Sequence, residues 1–169
     1  MNHPKAFSDN SLSVRDPRWQ WVNVRQVVDD VSKSLAARLA AQRVETVADV
    51  PYQLSIMADR ELLHDALLRL VTNALEAMPT GGRLVITSYV GPRGLELEVA
   101  DSGLGLSDEA RRRAFEPFFT TKSDGGGLGL AIVRRIAIAH GGDVVATNCP
   151  EGGAAFTLRI PQRAYRSAA

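Results

Sequence analysis

The stretch that most constrains this chain runs from Asp101 to Val133, where two glycine-rich loops flank a short aromatic segment. It reads D-S-G-L-G-L, a short run of acids and arginines, F-E-P-F-F-T-T-K, two further residues and G-G-G-L-G-L-A-I-V. Glycine has no side chain and tolerates positive φ, so two such loops indicate that the backbone closely approaches something twice. The second loop leads into a helical pattern, and a helix N-terminus presents unpaired N–H groups that suit a phosphate. The predicted phosphate site consists of Gly125, Gly126, Gly127 and Gly129.

These glycines do not follow the common nucleotide-binding fingerprints. No Gly-Lys-Ser/Thr follows them as a Walker loop requires, and neither cluster has the G-x-G-x-x-G spacing of a dinucleotide site. One isolated cluster would indicate a turn, but two clusters around an aromatic segment favour a ligand site. Asp101 ends an alternating strand pattern, where its carboxylate can accept a hydrogen bond from a base or a sugar.

The composition limits the class of protein. The chain has 169 residues, of which 45% are apolar and 23% charged, as expected for one globular domain with a sizeable core. A net charge of +1 gives no general surface for nucleic acid or membrane. Cys149 is the only cysteine, which excludes an internal disulfide and fits a reducing compartment. No apolar run reaches the length of a membrane span, so we expect a cytoplasmic location. If the chain belongs to a membrane receptor, we expect these residues to be its cytoplasmic part.

Hydrophobic periodicity predicts one domain at residues 19–163, between a flexible lead-in at 1–18 and a flexible tail at 164–169. We predict one helix from Val24 through Leu39 capped by Asn23, one from Asp59 to Met78, a short one capped by Ser107, and one over Leu128 to His140. The predicted strands are Trp19 to Val22, Val44 to Val50, Leu54 to Ala58, Arg83 to Val90, Leu95 to Ala100, Asp143 to Asn148 and Ala155 to Ile160.

Polar residues follow one edge of the apolar stripe in the second long helix. Arg69, Asn73 and Glu76 stand at i, i+4 and i+7, so they lie on one side of the helix, where polar groups need partners or a ligand. The three phenylalanines of the aromatic segment, at 115, 118 and 119, leave two possibilities open. They either pack in the core or anchor a mobile lid over a ligand.

Taken in order, these motifs resemble the catalytic ATP-binding domain of sensor histidine kinases, in the superfamily that includes gyrase and the heat-shock chaperone ATPases. T-N-A-L-E-A-M resembles the N box, D-S-G-L-G-L the first glycine box, F-E-P-F-F-T-T-K the F box and G-G-G-L-G-L-A-I-V-R-R-I the second glycine box. The resemblance covers about residues 19–162. It implies a two-layer α/β sandwich of the Bergerat type, with a mixed, mostly antiparallel sheet and helices on one face.

The resemblance also implies a site for ATP and Mg²⁺. Asn73 would be the catalytic residue that ligates Mg²⁺ between the phosphates, since an amide oxygen is a suitable hard ligand. Asp101 would accept from the adenine amino group, and Lys122, in a short lid, would reach a phosphate. The implied glycines are Gly103 and Gly105 near the base, and Gly127 and Gly129 around the phosphates. The other implied contacts are Ala77, Leu106, Thr121, Gly126, Leu128 and Leu130.

The implied activity is that of a protein-histidine kinase. It would donate the γ-phosphoryl group of ATP to a histidine on a dimerisation domain that this chain lacks, with a response regulator downstream. The isolated chain is then expected to be a monomer that makes no nucleic-acid or direct membrane contact and does not label itself. Two alternatives remain open: a superfamily ATPase or clamp, and an anti-sigma-type protein-serine kinase or ATP-binding module.

Three departures from the family pattern bear on that activity. Arg69 stands where these kinases usually have Asn and where ATP-hydrolysing relatives carry a water-activating Glu. Ala154 stands where Thr often follows the third glycine box. Finally, His3, His64 and His140 all lie outside an acceptor-like context, so we interpret each of them as structural or solvated.

Overall fold

The computed structural model describes residues 12–121 and 126–162. Within these residues the chain forms seven strands and five helices. The strands are β1 Gln20–Asn23, β2 Val44–Asp49, β3 Ser55–Ala58, β4 Gly82–Gly91, β5 Gly94–Asp101, β6 Asp143–Asn148 and β7 Ala154–Pro161. The helices are α1 Val24–Ser34, α2 Ala36–Ala41, α3 Arg60–Ala77, α4 Asp108–Arg113 and α5 Gly129–Ala139.

One mixed sheet supports the domain. Its strand order is β2-β4-β5-β7-β6, in which β2 pairs with β4 in parallel and the other neighbours are antiparallel. The helices cover one face, and β1 pairs with β3 in a separate antiparallel ribbon. The predicted fold class and both predicted hairpins, β4–β5 and β6–β7, are confirmed.

The apolar face of α3 is the centre of the core. Leu63, Leu67 and Leu70 are fully buried, as are Leu97 of β5 and Ile136 of α5. Full burial of such a side chain contributes roughly 1.5–3 kcal/mol relative to leaving it exposed. This packing holds α3 against the sheet and beside α1 and α5, so side chains along its polar edge project from a rigid support.

Three helix starts have the caps that the sequence predicts. Asn23, Asp59 and Ser107 each accept a hydrogen bond from the backbone N–H three residues on, at 2.9, 3.0 and 3.1 Å. Such a cap stabilises a helix by about 1 kcal/mol. By contrast, α5 begins without a side-chain cap.

The prediction of one helix from Val24 through Leu39 is wrong. Helix α1 ends at Ser34, and Leu35 separates it from α2 with φ −103° and ψ 5°. The Ser34 hydroxyl donates to the carbonyl of Val31 at 2.8 Å. A side chain that bonds to the backbone in this way competes with the helical ladder and favours a break. The other predicted elements agree within about two residues, as helix and strand ends usually do.

Residues 12–18 contact the domain, which the predicted boundary at Trp19 does not anticipate. Leu12 is buried, and the Arg15 guanidinium donates to the carboxylates of Asp59 and Glu61. Residues 1–11 and the predicted tail at 164–169 lie outside the described part of the chain, so the flexibility of lead-in and tail stays a prediction. No helix in the described part is both long and apolar enough to span a membrane.

Candidate functional site

A cavity of about 740 Å³ opens between α3, the first glycine loop, the aromatic segment and the start of α5. Its volume lies within the range of small-molecule sites. Most of the predicted site residues meet there, although they come from four separate stretches of the chain. Those lining the cavity are Asn73, Ala77, Asp101, Gly105, Leu106, Thr121, Gly126, Gly127, Leu128, Gly129 and Leu130.

Three predicted site residues, Gly103, Lys122 and Gly125, are not among those lining residues. Gly103 packs behind the cavity, where a Cβ would lie 2.6 Å from the carbonyl oxygen of Ala77, and its N–H donates to the Asp101 carboxylate at 2.8 Å. This contact makes it a residue that positions Asp101. Lys122 and the rest of the predicted lid up to Gly125 lie outside the described residues.

Asp101, at the end of β5, is a fixed and almost fully buried carboxylate. Only 4% of it is exposed, and one carboxylate oxygen accepts from the N–H groups of Gly103 and Ala154, at 2.8 and 3.3 Å. Gly153, at φ +90°, lies so close that a Cβ there would collide with the Asp101 carbonyl group. The backbone therefore determines where the carboxylate borders the cavity.

Asn148 is a positioning residue that the sequence did not reveal. Its side-chain oxygen accepts from the N–H of Leu106 at 2.7 Å, and its side-chain nitrogen donates to the Leu106 carbonyl at 2.8 Å. This pair of bonds fixes the loop beside Gly105, which has φ +76°. The two residues are 42 positions apart, so no local pattern could have linked them. We call Asp101 to Leu106 the aspartate wall.

The opposite side of the cavity, Gly126 to Leu130, is the glycine wall. Gly127 has φ +65°, and a Cβ there would lie 2.5 Å from the carbonyl carbon of Phe118. The N–H of Phe118 donates to the Gly127 carbonyl at 2.9 Å, which fixes the two segments together. Because α5 begins here without a side-chain cap, its first-turn N–H groups are suited to a bound anion.

The polar edge predicted on α3 faces the cavity. Arg69, Asn73 and Glu76 all line it. The Nε of Arg69 donates to both carboxylate oxygens of Asp65, at 3.0 and 3.1 Å, and Asp65 lines the cavity as well. One helix therefore presents an amide, a guanidinium and two carboxylates to the same space.

The three phenylalanines have different environments. Phe115 is partly buried and meets the ring of Phe156 edge-on, with centroids 6.2 Å apart. Phe119 lines the cavity, and the Arg113 guanidinium lies 4.6 Å from its ring centroid. Phe118 is 66% exposed. Core packing thus explains Phe115, whereas Phe119 borders the cavity and Phe118 is a surface residue.

Neither described histidine borders this cavity. His140 is buried, its Nε2 accepts from the N–H of Asp59 at 3.0 Å, and its Nδ1 lies 2.8 Å from the carbonyl of Ile136. Both ring nitrogens thus have backbone partners, which confirms the structural interpretation. His64 is half-buried and borders a separate shallow depression beside Arg60.

Comparisons with known proteins agree with this architecture. The sequence profile described as "Histidine kinase-, DNA gyrase B-, and HSP90-like ATPase" matches residues 58–164. The signal transduction histidine-protein kinase AtoS of Escherichia coli is 35% identical over 149 residues, which cover 87% of this chain and 24% of AtoS. The sensor histidine kinase ZraS of Klebsiella oxytoca is 36% identical over 85% of this chain and 32% of ZraS. The chain thus spans about a quarter to a third of these curated relatives.

Solved structures give the same result. The nucleotide-free catalytic domain of histidine kinase ThkA superposes with a TM-score of 0.79 at 29% identity, covering 86% of this chain and 98% of that one. The structure of ThkA in complex with the response regulator TrrA superposes with a TM-score of 0.77 at 27% identity, covering 89% of this chain and 44% of that one. Full-length ShkA in complex with AMPPNP superposes with a TM-score of 0.71 at 29% identity, covering 90% of this chain and 33% of that one. With the profile match extending over more than half of its residues, the chain belongs to the family of histidine kinase-, DNA gyrase B- and HSP90-like ATPases.

Proposed function

We propose that this chain is the ATP-binding catalytic domain of a sensor histidine kinase, which transfers the γ-phosphoryl group of ATP to a histidine on a separate dimerisation domain. The observation that carries the proposal is the convergence of Asp101, Asn73 and the uncapped start of α5 on one cavity. These three elements offer an acceptor for a base, an oxygen ligand for a cation and donors for phosphate. A nucleotide that carries a base and a phosphate chain, with a bound cation, would use all of them.

The aspartate wall is suited to the adenine ring. The Asp101 carboxylate is fixed by Gly103 and Ala154 and has acceptor capacity for an amino group on the ligand. Apolar side chains of Leu106 and Phe156 line the same cavity and offer surface for an aromatic ring. AMPPNP, an ATP analogue, is present in the ShkA complex, which supports the same ligand class here.

Mg²⁺ fits the site as part of the nucleotide complex. Among the residues described, no group of three His, Cys, Asp or Glu side chains could hold a metal ion by itself. Mg²⁺ commonly binds through one or two protein oxygens together with substrate phosphates and water. Asn73 would supply such an oxygen from the rigid helix α3. When bound, the ion would neutralise charge on the phosphates.

The proposed chemistry is phosphoryl transfer by positioning. The bond between the γ-phosphorus and the bridging oxygen to the β-phosphate breaks, and a bond from that phosphorus to an imidazole nitrogen forms, with ADP leaving. The α5 N–H groups and Asn73 orient the phosphates, which is most of the catalytic work in such reactions. His140 is buried and His64 lies outside the cavity, so we assign the acceptor to the dimerisation domain of the parent kinase.

A response regulator and a cytoplasmic location complete the proposal. The complex of ThkA with the response regulator TrrA supports a downstream acceptor of this class. The isolated domain is proposed to be a monomer.

Mixing this chain with the dimerisation domain of the parent kinase and γ-labelled Mg·ATP tests the proposal. Label should appear on a histidine of the added domain as an acid-labile, base-stable phosphate, and not on this chain alone. Asn73→Ala should abolish the labelling and the Mg²⁺ dependence of nucleotide binding, with an unchanged unfolding transition. Efficient labelling of His64 or His140 in the chain alone, or transfer to a serine of a partner, would overturn it.

A further inference from the structure

The cavity has an unusual balance of charge for a triphosphate site. The carboxylates of Asp65, Glu76 and Asp101 line it, and in the part of the chain that the structure describes Arg69 is the one basic side chain among the lining residues. A triphosphate carries several negative charges and gains most from cations and oriented N–H groups. Arg69 is therefore the described side chain best suited to offset charge on the ligand.

The position of Arg69 along α3 indicates which part of the ligand it reaches. Ala77, at the C-terminal end of the helix, contacts the aspartate wall through Gly103. Asn73 lies one turn before Ala77 and Arg69 two turns before it, so Arg69 is displaced by roughly 12 Å along the helix axis. A nucleotide whose base lies at Asp101 and whose phosphates pass Asn73 would direct its terminal phosphate toward Arg69.

The guanidinium of Arg69 is oriented but has donors to spare. Asp65 accepts only from its Nε, at 3.0 and 3.1 Å. The two terminal nitrogens donate to no acceptor within residues 12–121 and 126–162, and about a third of the side chain is exposed. Those nitrogens form the planar fork that matches phosphate oxygens. Asp65 thus limits the rotation of the fork without using it.

We propose that Arg69 binds the terminal phosphate of ATP and makes the domain selective for the triphosphate over ADP. This inference rests on the proposed function, because it assumes that ATP occupies the cavity. The competing explanation is that Arg69 and Asp65 form an ordinary i, i+4 surface ion pair, which contributes little to stability and nothing to ligand choice.

Calorimetric titration of the full chain with Mg·AMPPNP and with Mg·ADP separates the two explanations. Arg69→Gln keeps most of the aliphatic stem but removes the charged fork. It should lower the affinity for AMPPNP about tenfold, which corresponds to the lower end for a charged hydrogen bond. The affinity for ADP should fall by less than about threefold. The matched control is Arg111→Gln, which removes an exposed helical ion pair with Asp108 away from the cavity and should change neither affinity.

A second variant keeps Arg69 in place. Asp65→Asn removes the carboxylate that orients the guanidinium and should reduce the preference for AMPPNP by a smaller factor. If Arg69→Gln lowers the affinities for AMPPNP and ADP by the same factor, or changes neither affinity, the assignment is overturned while the proposed function stays intact. If the unmodified chain binds neither nucleotide, the proposed function itself fails, and the role of Arg69 with it.

Discussion

The two walls of the cavity are built in different ways. The aspartate wall is held by hydrogen bonds from distant parts of the chain: Asn148 binds Leu106 from 42 residues away, and Ala154 binds Asp101 from 53 residues away. Within the described residues, the glycine wall is joined to a neighbouring segment by the hydrogen bond from the N–H of Phe118 to the carbonyl of Gly127, and it then continues into α5.

This difference matches the groups that each wall would bind. A base has a fixed shape, and selecting it requires an acceptor whose position does not change, because preorganised groups lose little entropy on binding. Phosphates need several backbone donors, which an uncapped helix start leaves available. We infer that the aspartate wall is formed before nucleotide binds, whereas the glycine wall gains order from the nucleotide.

The largest expected effect tests how tightly the aspartate wall is packed. Gly153→Ala places a methyl group against the Asp101 carbonyl at φ +90° and should lower the free energy of unfolding by about 3 kcal/mol or more. Urea unfolding measures this loss. Gly152→Ala is the matched control, since Gly152 has φ +99° but no atom within 4 Å of the added Cβ. It should cost only the backbone strain, about 1–2 kcal/mol. Equal losses in the two variants would mean that the contact with Asp101 is not constrained.

A smaller effect is expected at Asp59, which caps the far end of α3 and should affect the stability of the domain without affecting nucleotide binding. Burial raises the pKa of the Asp59 carboxyl, but hydrogen bonds from Arg15, Leu62 and Arg18 outweigh burial and lower the pKa to about 2. A lowered pKa in the folded state means that the stabilisation is complete above the unfolded value of 3.8 and is lost as pH falls toward 2. The stabilisation that this lowered pKa contributes at neutral pH is about 2 kcal/mol.

Asp59→Asn should therefore lower the unfolding free energy at neutral pH and remove the part of the acid-induced loss between pH 4 and about 2 that belongs to this carboxyl. Its affinity for Mg·ATP should be unchanged, because Asp59 does not line the cavity. A large loss of affinity would show that the two ends of α3 are coupled.

The smallest effect concerns base selection by the aspartate wall. Asp101→Asn replaces a charged acceptor and should weaken ATP about tenfold, or roughly 1.5 kcal/mol, the lower end for a hydrogen bond to a charged group. The affinity for inosine triphosphate, which lacks the amino group, should fall much less in the same variant. Equal losses for both nucleotides would show that Asp101 does not face the amino group.

The sequence predicted the site better where the signal was local. Periodicity found α3, and the i, i+4, i+7 spacing placed Arg69, Asn73 and Glu76 on the cavity side. Glycine clusters identified both walls, because a positive φ or a close backbone approach requires glycine and is therefore visible in the sequence. In contrast, the role of Asn148 and the position of Gly103 behind Asp101 depend on contacts across the fold, which no local pattern records. The break at Leu35 was missed because the apolar spacing continues through it, and the hydrogen bond from the Ser34 hydroxyl to the Val31 carbonyl leaves no trace in that spacing.

Hydrogen exchange along both walls, with and without Mg·ATP, tests the central claim most directly. The amides of Gly103 and Leu106 donate to Asp101 and Asn148, so they should be protected in the empty protein and change little when nucleotide is added. Exchange at Gly127 to Leu130 should slow on adding Mg·ATP, as their N–H groups acquire phosphate acceptors. Equal slowing of both walls, or full protection of the glycine wall before nucleotide is added, would contradict the account.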